Sequence, residues 1–307
     1  MQQQHIPKEM FEQVGGDTSD SEKISRPSIS FWKDVWMRFK KNRLALTGII
    51  LIVILAIMSI VGPMLTPYDY RTTDLINSNL APSANHWFGT DDLGRDIFTR
   101  VWKGAQISLF IGLAAAVIDL FIGVIWGGLS GYIGGRTDEY MMRFADILWA
   151  VPYLLMVILL MVVLGQGLGT MILAMTITGW INMARIVRGQ VLQLKSQEYV
   201  MAAQTLGAKT SRIMFRHLIP NAMGPILITM TLTVPNAIFT EAFLSYLGLG
   251  VQQPLASWGT MASEGLPALQ YYPWRLFFPA LFICLTIFAF NVIGDGMRDA
   301  LDPRLRK

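Results

Sequence analysis

The sequence is poor in the residues on which most protein chemistry depends. Of 307 residues, one is cysteine and three are histidine. A single Cys284 excludes an internal disulfide. His5, His86 and His217 fall in unrelated stretches, and no His, Cys and carboxylate grouping has metal-ligand spacing. No Gly-x-Ser-x-Gly elbow is present. Gly207-Ala208-Lys209-Thr210 lacks the upstream glycine and the Gly-Lys adjacency of a phosphate-binding loop. These absences argue against a catalytic chain and against nucleotide binding. Charge is also scarce. Only 15% of residues are charged, where soluble domains average about 25%. The net charge of +4 is too small to imply nucleic acid as a partner.

What is abundant is apolar surface. The chain is 53% hydrophobic, with a mean hydropathy of +0.44. Apolar runs of about 18 residues or more with at most one charge read as membrane spans. Six segments qualify: 44–65, 107–132, 147–164, 165–184, 222–249 and 276–293. The fourth is the weakest, because its strongly apolar part is only 171–184. A re-entrant segment there would invert everything after it. Lysine and arginine counts decide for six crossings. With the N-terminus inside, 20 of the 25 basic residues fall on the inner side and 5 on the outer. The expected class is an all-α, polytopic membrane protein with both termini cytoplasmic. Residues 1–43 form a polar tail, 44–106 the first span and a long outer loop, and 107–307 a five-helix core.

Two features flank this core. Between Phe31 and Arg43, five basic residues interleave with Phe31, Trp32, Trp36, Met37 and Phe39. Such a stretch suits an amphipathic helix on the inner lipid surface, or an ordinary basic anchor. The outer loop 66–106 is too long for a turn, and Gly89-Thr90-Asp91 is expected to form a turn whose carboxylate caps a following helix.

The longest inner loop, 185–221, has internal order. Tyr199, Ala202, Ala203 and Leu206 are spaced three and four apart, which places them on one helical face. Gly207 is a suitable terminator. Thr210 or Ser211 would cap a second short helix through Ile213, ended by Pro220. The result is a helix–turn–helix bracket, suited to a groove of a soluble partner or to lipid headgroups.

This loop resembles the cytoplasmic loop of ATP-binding-cassette importer permeases. Their pattern is Glu-Ala-Ala, three residues, Gly, nine residues, then Ile-x-Leu-Pro. Here Met201-Ala202-Ala203, Gly207 and His217-Leu218-Ile219-Pro220 keep the spacing, with Met201 and His217 as departures. Three other stretches are similar to peptide and nickel permeases. They are His86 to Asp96, Glu241 to Gly250 with Ser257-Trp258-Gly259, and Gly294 to Arg304. Agreement runs from about Phe31 to Arg304, so the chain resembles the C-type permease subunit of an oligopeptide or dipeptide importer.

The resemblance implies the type I importer permease fold. It also implies the partners: a homologous B-type permease, two ATPase subunits and an extracytoplasmic peptide-binding protein in a bacterial cytoplasmic membrane. No cofactor is expected on this chain, with ATP and magnesium at the ATPase subunits. The resemblance places ATPase coupling at Tyr199, Ala202, Ala203, Leu206, Gly207 and Ile213. Nickel or glutathione import within the family, and a stand-alone ion-coupled transporter outside it, remain alternatives.

Other residues stand out on physical grounds. Asp295, Arg298, Asp299 and Arg304 crowd the inner end of the last span, and could pair with each other or with Glu198. Asp119 and Glu241 are intramembrane carboxylates, costly to desolvate, and are candidates for the pathway or a gate. Gly123, Gly127, Gly131 and Gly135 recur every fourth residue, a packing stripe. Pro152, Pro225 and Pro235 are expected to kink or end helices.

Overall fold

The computed structural model describes residues 30–302. Arg304 and the tail before residue 30 lie outside the described residues. No strand is present among the described residues, apart from one isolated bridge between Thr90 and Asp96.

The chain opens with α1 (Phe31–Phe39). Its pattern buries Val35 and Phe39 against Ala45 and Ala300, and leaves Phe31, Trp32, Trp36 and Met37 exposed. Asn42 then caps α2 (Arg43–Val61), accepting from the Ala45 N–H at 3.2 Å. The long helices follow: α3 (Ile97–Ile133), α4 (Gly135–Ala150), α5 (Tyr153–Leu164) and α6 (Leu168–Lys195). Next come α7 (Glu198–Thr205), α8 (Thr210–Ile213) and α9 (Ile219–Tyr246). A short α10 (Trp258–Gly265) and α11 (Trp274–Leu301) complete the fold.

Five helical stretches are long and apolar enough to cross a membrane, and α4 with α5 makes a sixth if the bent pair is one span. The fourth expected span is a full helix, α6, of 28 residues. Two of the expected spans are corrected. The second span begins ten residues early, because Asp96 caps Ile97 and the helix runs for 37 residues. At 1.5 Å per residue that is about 55 Å, longer than a bilayer core of about 30 Å, so α3 projects beyond it. The third span is not one helix: α4 and α5 meet at 80° across Val151 and Pro152.

The other two prolines behave differently, since α9 continues through both Pro225 and Pro235. Proline removes an intrahelical donor, and nearby threonines bond to carbonyls of the same helix. Thr229 donates to the Pro225 carbonyl at 2.8 Å and Thr233 to that of Thr229 at 2.9 Å. Pro220 likewise does not end a helix. It sits in the first turn of α9, directly after a π turn at Met214–Leu218 that opens the ladder.

Helix α3 packs along α6 and α9, α9 packs on α11, and α11 on α2. Glycine decides the closest seam. A Cβ at Gly127 would lie 2.2 Å from the Ala184 carbonyl oxygen, and one at Gly123 would lie 2.5 Å from Met183. Gly131 meets Arg188 and Val191 in the same way. Gly135 leaves the expected stripe: it starts α4 at φ +57° with open space around it. Apolar clusters fill the bundle along its length, with Trp258 and Phe282 at one end and Val187, Ile213 and Leu218 at the other.

Candidate functional site

Midway along the bundle, α3, α6 and α9 and the α4–α5 bend enclose a cavity of about 370 Å³. Asp119 of α3 forms its floor with Thr178 of α6, and Asn182, Asn236 and Phe239 stand exposed around its mouth. The bend at Pro152 brings Trp149 and Tyr153 to the same space. Asp119 is 5% exposed, and its Oδ1 accepts no hydrogen bond. A Cβ on Gly179 would lie 2.4 Å from Asp119 Oδ2, so the missing side chain makes room for the carboxylate. Most of the polar lining was not singled out from sequence, yet a signal exists. Thr178 and Asn182, and likewise Thr233, Asn236 and Thr240, recur three and four apart inside apolar runs.

Glu241 sits elsewhere. It is fully buried and does not line the cavity. Three hydroxyls donate to it: Ser257 at 2.6 Å, Ser245 at 2.9 Å and Ser108 at 3.2 Å. Ser108 Oγ in turn accepts the Trp258 N–H at 3.1 Å, and Trp258 Nε1 donates to the Val101 carbonyl. A Cβ on Gly259 would stand 2.6 Å from Ala242 Cα. The carboxylate therefore ties α3, α9 and α10 together, and the two intramembrane carboxylates are not brought to one place.

The same end of the bundle carries the folded loop before α3. Asp96, not Asp91, is the helix cap, accepting the Thr99 N–H at 2.8 Å. Its other oxygen meets His86 Nδ1 at 2.9 Å. Asp91 accepts instead from Arg95 Nε and Arg100 Nη1, both at 2.7 Å, and from the backbone N–H of Leu93 and Arg95. Arg100 also donates to Glu264 of α10 at 3.0 Å. Burial pushes the Glu264 carboxyl above its ordinary range, with Arg95 pulling it back down. Gly89 and Gly94 adopt φ +78° and +73°, and Cβ atoms there would strike the Leu80 and Asp74 carbonyl oxygens. Arg100, Glu264 and Arg275, which pairs with Asp92 at 3.0 Å, were not anticipated. Glu264 and Arg275 sit far from Asp91 in sequence, and Arg100, nine residues on, carries no periodic signal.

At the opposite end lies the bracket. The α7 helix stops at Gly207, φ +76°, where the Gly207 N–H bonds to the Gln204 carbonyl and the Ala208 N–H to that of Ala203. Neither Thr210 nor Ser211 caps α8; Lys209 takes the N-cap position without a side-chain bond. Tyr199, Ala202 and Gly207 are exposed, Ala203 is half-buried, and Leu206 is 86% exposed. Ile213 differs. It is fully buried beside Val187, Val191 and Leu218, so it anchors the bracket to the bundle and presents nothing outward. The Tyr199 hydroxyl accepts from Asn221 at 3.3 Å, next to His217.

Near the bracket, the end of α11 carries Asp295, Arg298 and Asp299. Arg298 pairs with Asp295 at 3.9 Å, both exposed, and forms no ion pair with Glu198. Asp299 accepts from Asn42 at 3.4 Å, so the cluster leans on the α1–α2 junction.

Comparison with known proteins gives this arrangement a family. The family described as binding-protein-dependent transport system inner membrane component matches residues 120–307. The N-terminal TM domain of oligopeptide transport permease C matches residues 30–82. The chain is 72% identical to the oligopeptide transport system permease protein OppC of Bacillus subtilis, over 99% of this chain and 100% of that one. It is 57% identical to the dipeptide transport system permease protein DppC of Bacillus subtilis, over 100% of this chain and 96% of that one. Escherichia coli K12 OppC is 45% identical over 93% and 95%. Among solved structures, the inward facing MetNI methionine ABC transporter overlays 67% of this chain and 98% of its own. The TM-score is 0.56 at 17% identity, which speaks for the fold alone. The chain belongs to the binding-protein-dependent transport system inner membrane component family, as a membrane permease subunit.

Proposed function

We propose that this chain forms half of a pathway by which short peptides enter the cell, the other half being a homologous permease. The carrying observation is the cavity at Asp119. Asn182 and Asn236 are exposed on helices that are otherwise apolar enough to cross a membrane. Amides facing hydrocarbon are costly, and polar groups at that depth face protein or a water-filled space. The surface around the cavity mouth is thus directed at a partner permease and the path between the two. The names of the relatives supply the substrate class, oligopeptides and dipeptides.

The remaining parts fit the same reading. Two ATPase subunits bind ATP and magnesium, and this chain holds neither. The exposed face of α7, with Ala202 and Leu206, seats in a groove of an ATPase subunit and carries its motion into the bundle. The distribution of basic residues supports a cytoplasmic bracket and cytoplasmic termini. The loop end, stiffened by Asp91, Arg100 and Glu264, then faces outward, where an extracytoplasmic binding protein delivers peptide.

The test is uptake in a deletion strain supplied with this chain. Labelled tripeptide is expected to accumulate only with the chain present, and labelled nickel to be unaffected. Nickel uptake restored without tripeptide uptake would refute the peptide reading.

A further inference from the structure

Asp119 holds a negative charge, or the capacity for one, that no basic residue lining its cavity balances among the described residues. The cavity lining contains no lysine or arginine. Arg185 is committed elsewhere: it pairs with Asp146 at 2.8 Å and lies over the Trp149 ring at 4.8 Å. Asp119 Oδ1 is buried without a donor, and Thr178 Oγ1, on the facing helix and lining the same cavity, is also buried without a partner. Both residues line the one space, from two helices. Around them stand the hydroxyls of Thr233 and Thr240 and the rings of Tyr153 and Trp149.

This lining has a definite chemical complement. A buried carboxylate is stabilised by an opposite charge that also donates hydrogen bonds. A primary ammonium carries three donors and no acceptor. It can pair with a carboxylate, donate to a neighbouring hydroxyl and place its remaining charge against an aromatic face. A divalent metal fits poorly, because no group of three or more metal-ligating side chains exists among the described residues. Gly179 is the enabling residue: any side chain there would occupy the volume that the carboxylate fills.

Resting on the peptide-import reading, we propose that Asp119 and Thr178 form a transient site for the free α-ammonium group of a peptide in transit. A passing peptide is held at its amino end, while the mouth of the cavity leaves its side chains unread. The site thus selects for a free amino terminus and not for sequence.

The test uses the assembled complex of this chain with its permease and ATPase partners in lipid nanodiscs. Dicyclohexylcarbodiimide modifies carboxyl groups in apolar sites, and mass spectrometry locates the adduct on Asp119; Asp119→Asn controls for the assignment. Millimolar trialanine is expected to slow labelling about tenfold, as an occupied site would, while N-acetyl-trialanine leaves it unchanged. In proteoliposomes with the binding protein, Asp119→Asn should slow trialanine uptake about tenfold and Asp119→Glu should recover part of it. Equal protection by both peptides, or by neither, overturns the ammonium site. So does an Asp119 that labels in the isolated chain but never in the complex, since a partner group then already covers it. Absence of trialanine uptake by the wild-type complex overturns the peptide reading itself, whereas uptake without protection overturns only this site.

Discussion

The Ser257 hydroxyl donates to Glu241 at 2.6 Å, joining the first residue of the α10 cap to the last turns of α9. With Ser108 and Ser245 it makes Glu241 a fully buried hub for three hydroxyls. Hydrogen bonds between membrane helices average about 0.6 kcal/mol each. Glu241→Ala is therefore expected to cost about 2 kcal/mol, and Glu241→Gln less, because the amide keeps one acceptor oxygen. Thermal unfolding of the detergent-solubilised chain reads the difference. An unchanged midpoint in Glu241→Ala would count against the hub. Uptake should follow stability here: Glu241→Gln is expected to transport nearly as well as wild type, which distinguishes a knot from a gate.

Arg100 bridges two carboxylates, Asp91 at 2.7 Å and Glu264 at 3.0 Å. Its planar fork suits two separated acceptors, which a lysine ammonium serves poorly. Removing one member of a buried charge network costs about 3–5 kcal/mol, because the partners remain unpaired. Arg100→Met should loosen the loop between Asp74 and Asp96 from the bundle, and Arg100→Lys should do so nearly as much. Limited proteolysis of right-side-out vesicles measures this as faster cleavage within the loop. A loop that stays resistant in Arg100→Met would show that its glycine turns and the Asp96 cap hold it alone.

The two carboxylates show what a sequence reveals and what it hides. Apolar runs place both Asp119 and Glu241 inside spans, since hydropathy is local along the chain. Their opposite circumstances are not local. Glu241 is satisfied by serines 133 and 16 residues away, whereas Asp119 keeps an orphan oxygen because its neighbour on α6 is a glycine. The bracket was legible because its determinants lie within a few residues: the α7 periodicity and the turn at Gly207. Ile213, which the resemblance groups with the exposed face of α7, is fully buried, because a motif's spacing does not say what covers each residue. The break at Pro152 and the unbroken course through Pro225 and Pro235 carry the same residue type with opposite outcomes.

Close packing of α3 on α6 makes a controlled comparison possible. Gly127 has no space for a Cβ, which would approach the Ala184 carbonyl oxygen to 2.2 Å, whereas Gly169 has nothing within 4 Å and an ordinary helical position. Gly127→Ala is expected to destabilise by about 1–3 kcal/mol through overpacking. Gly169→Ala should be neutral or stabilising by up to about 1 kcal/mol, from helix propensity. Both are read as shifts in the midpoint of unfolding in mixed micelles. Equal effects at the two sites would mean that the seam yields, and that the glycines are not what sets the α3–α6 distance.

Gly207 and Ala202 separate the conformational demand of the bracket from its proposed contact with an ATPase subunit. A Cβ at Gly207 meets nothing within 4 Å, but φ +76° strains most side chains. Asparagine tolerates that region better than other residues, and the cost of forcing a bulkier residue there is about 1–2 kcal/mol. Ala202 is an exposed helical position with no such strain. If a partner backbone seats against this face, Ala202→Trp abolishes tripeptide uptake while the chain reaches the membrane at normal abundance. Gly207→Trp should do the same, and Gly207→Asn should retain most activity. If only backbone strain matters, Ala202→Trp transports normally and activity at Gly207 tracks tolerance of positive φ alone. Uptake normalised to membrane abundance across these three variants decides between a docking seat and a mere turn.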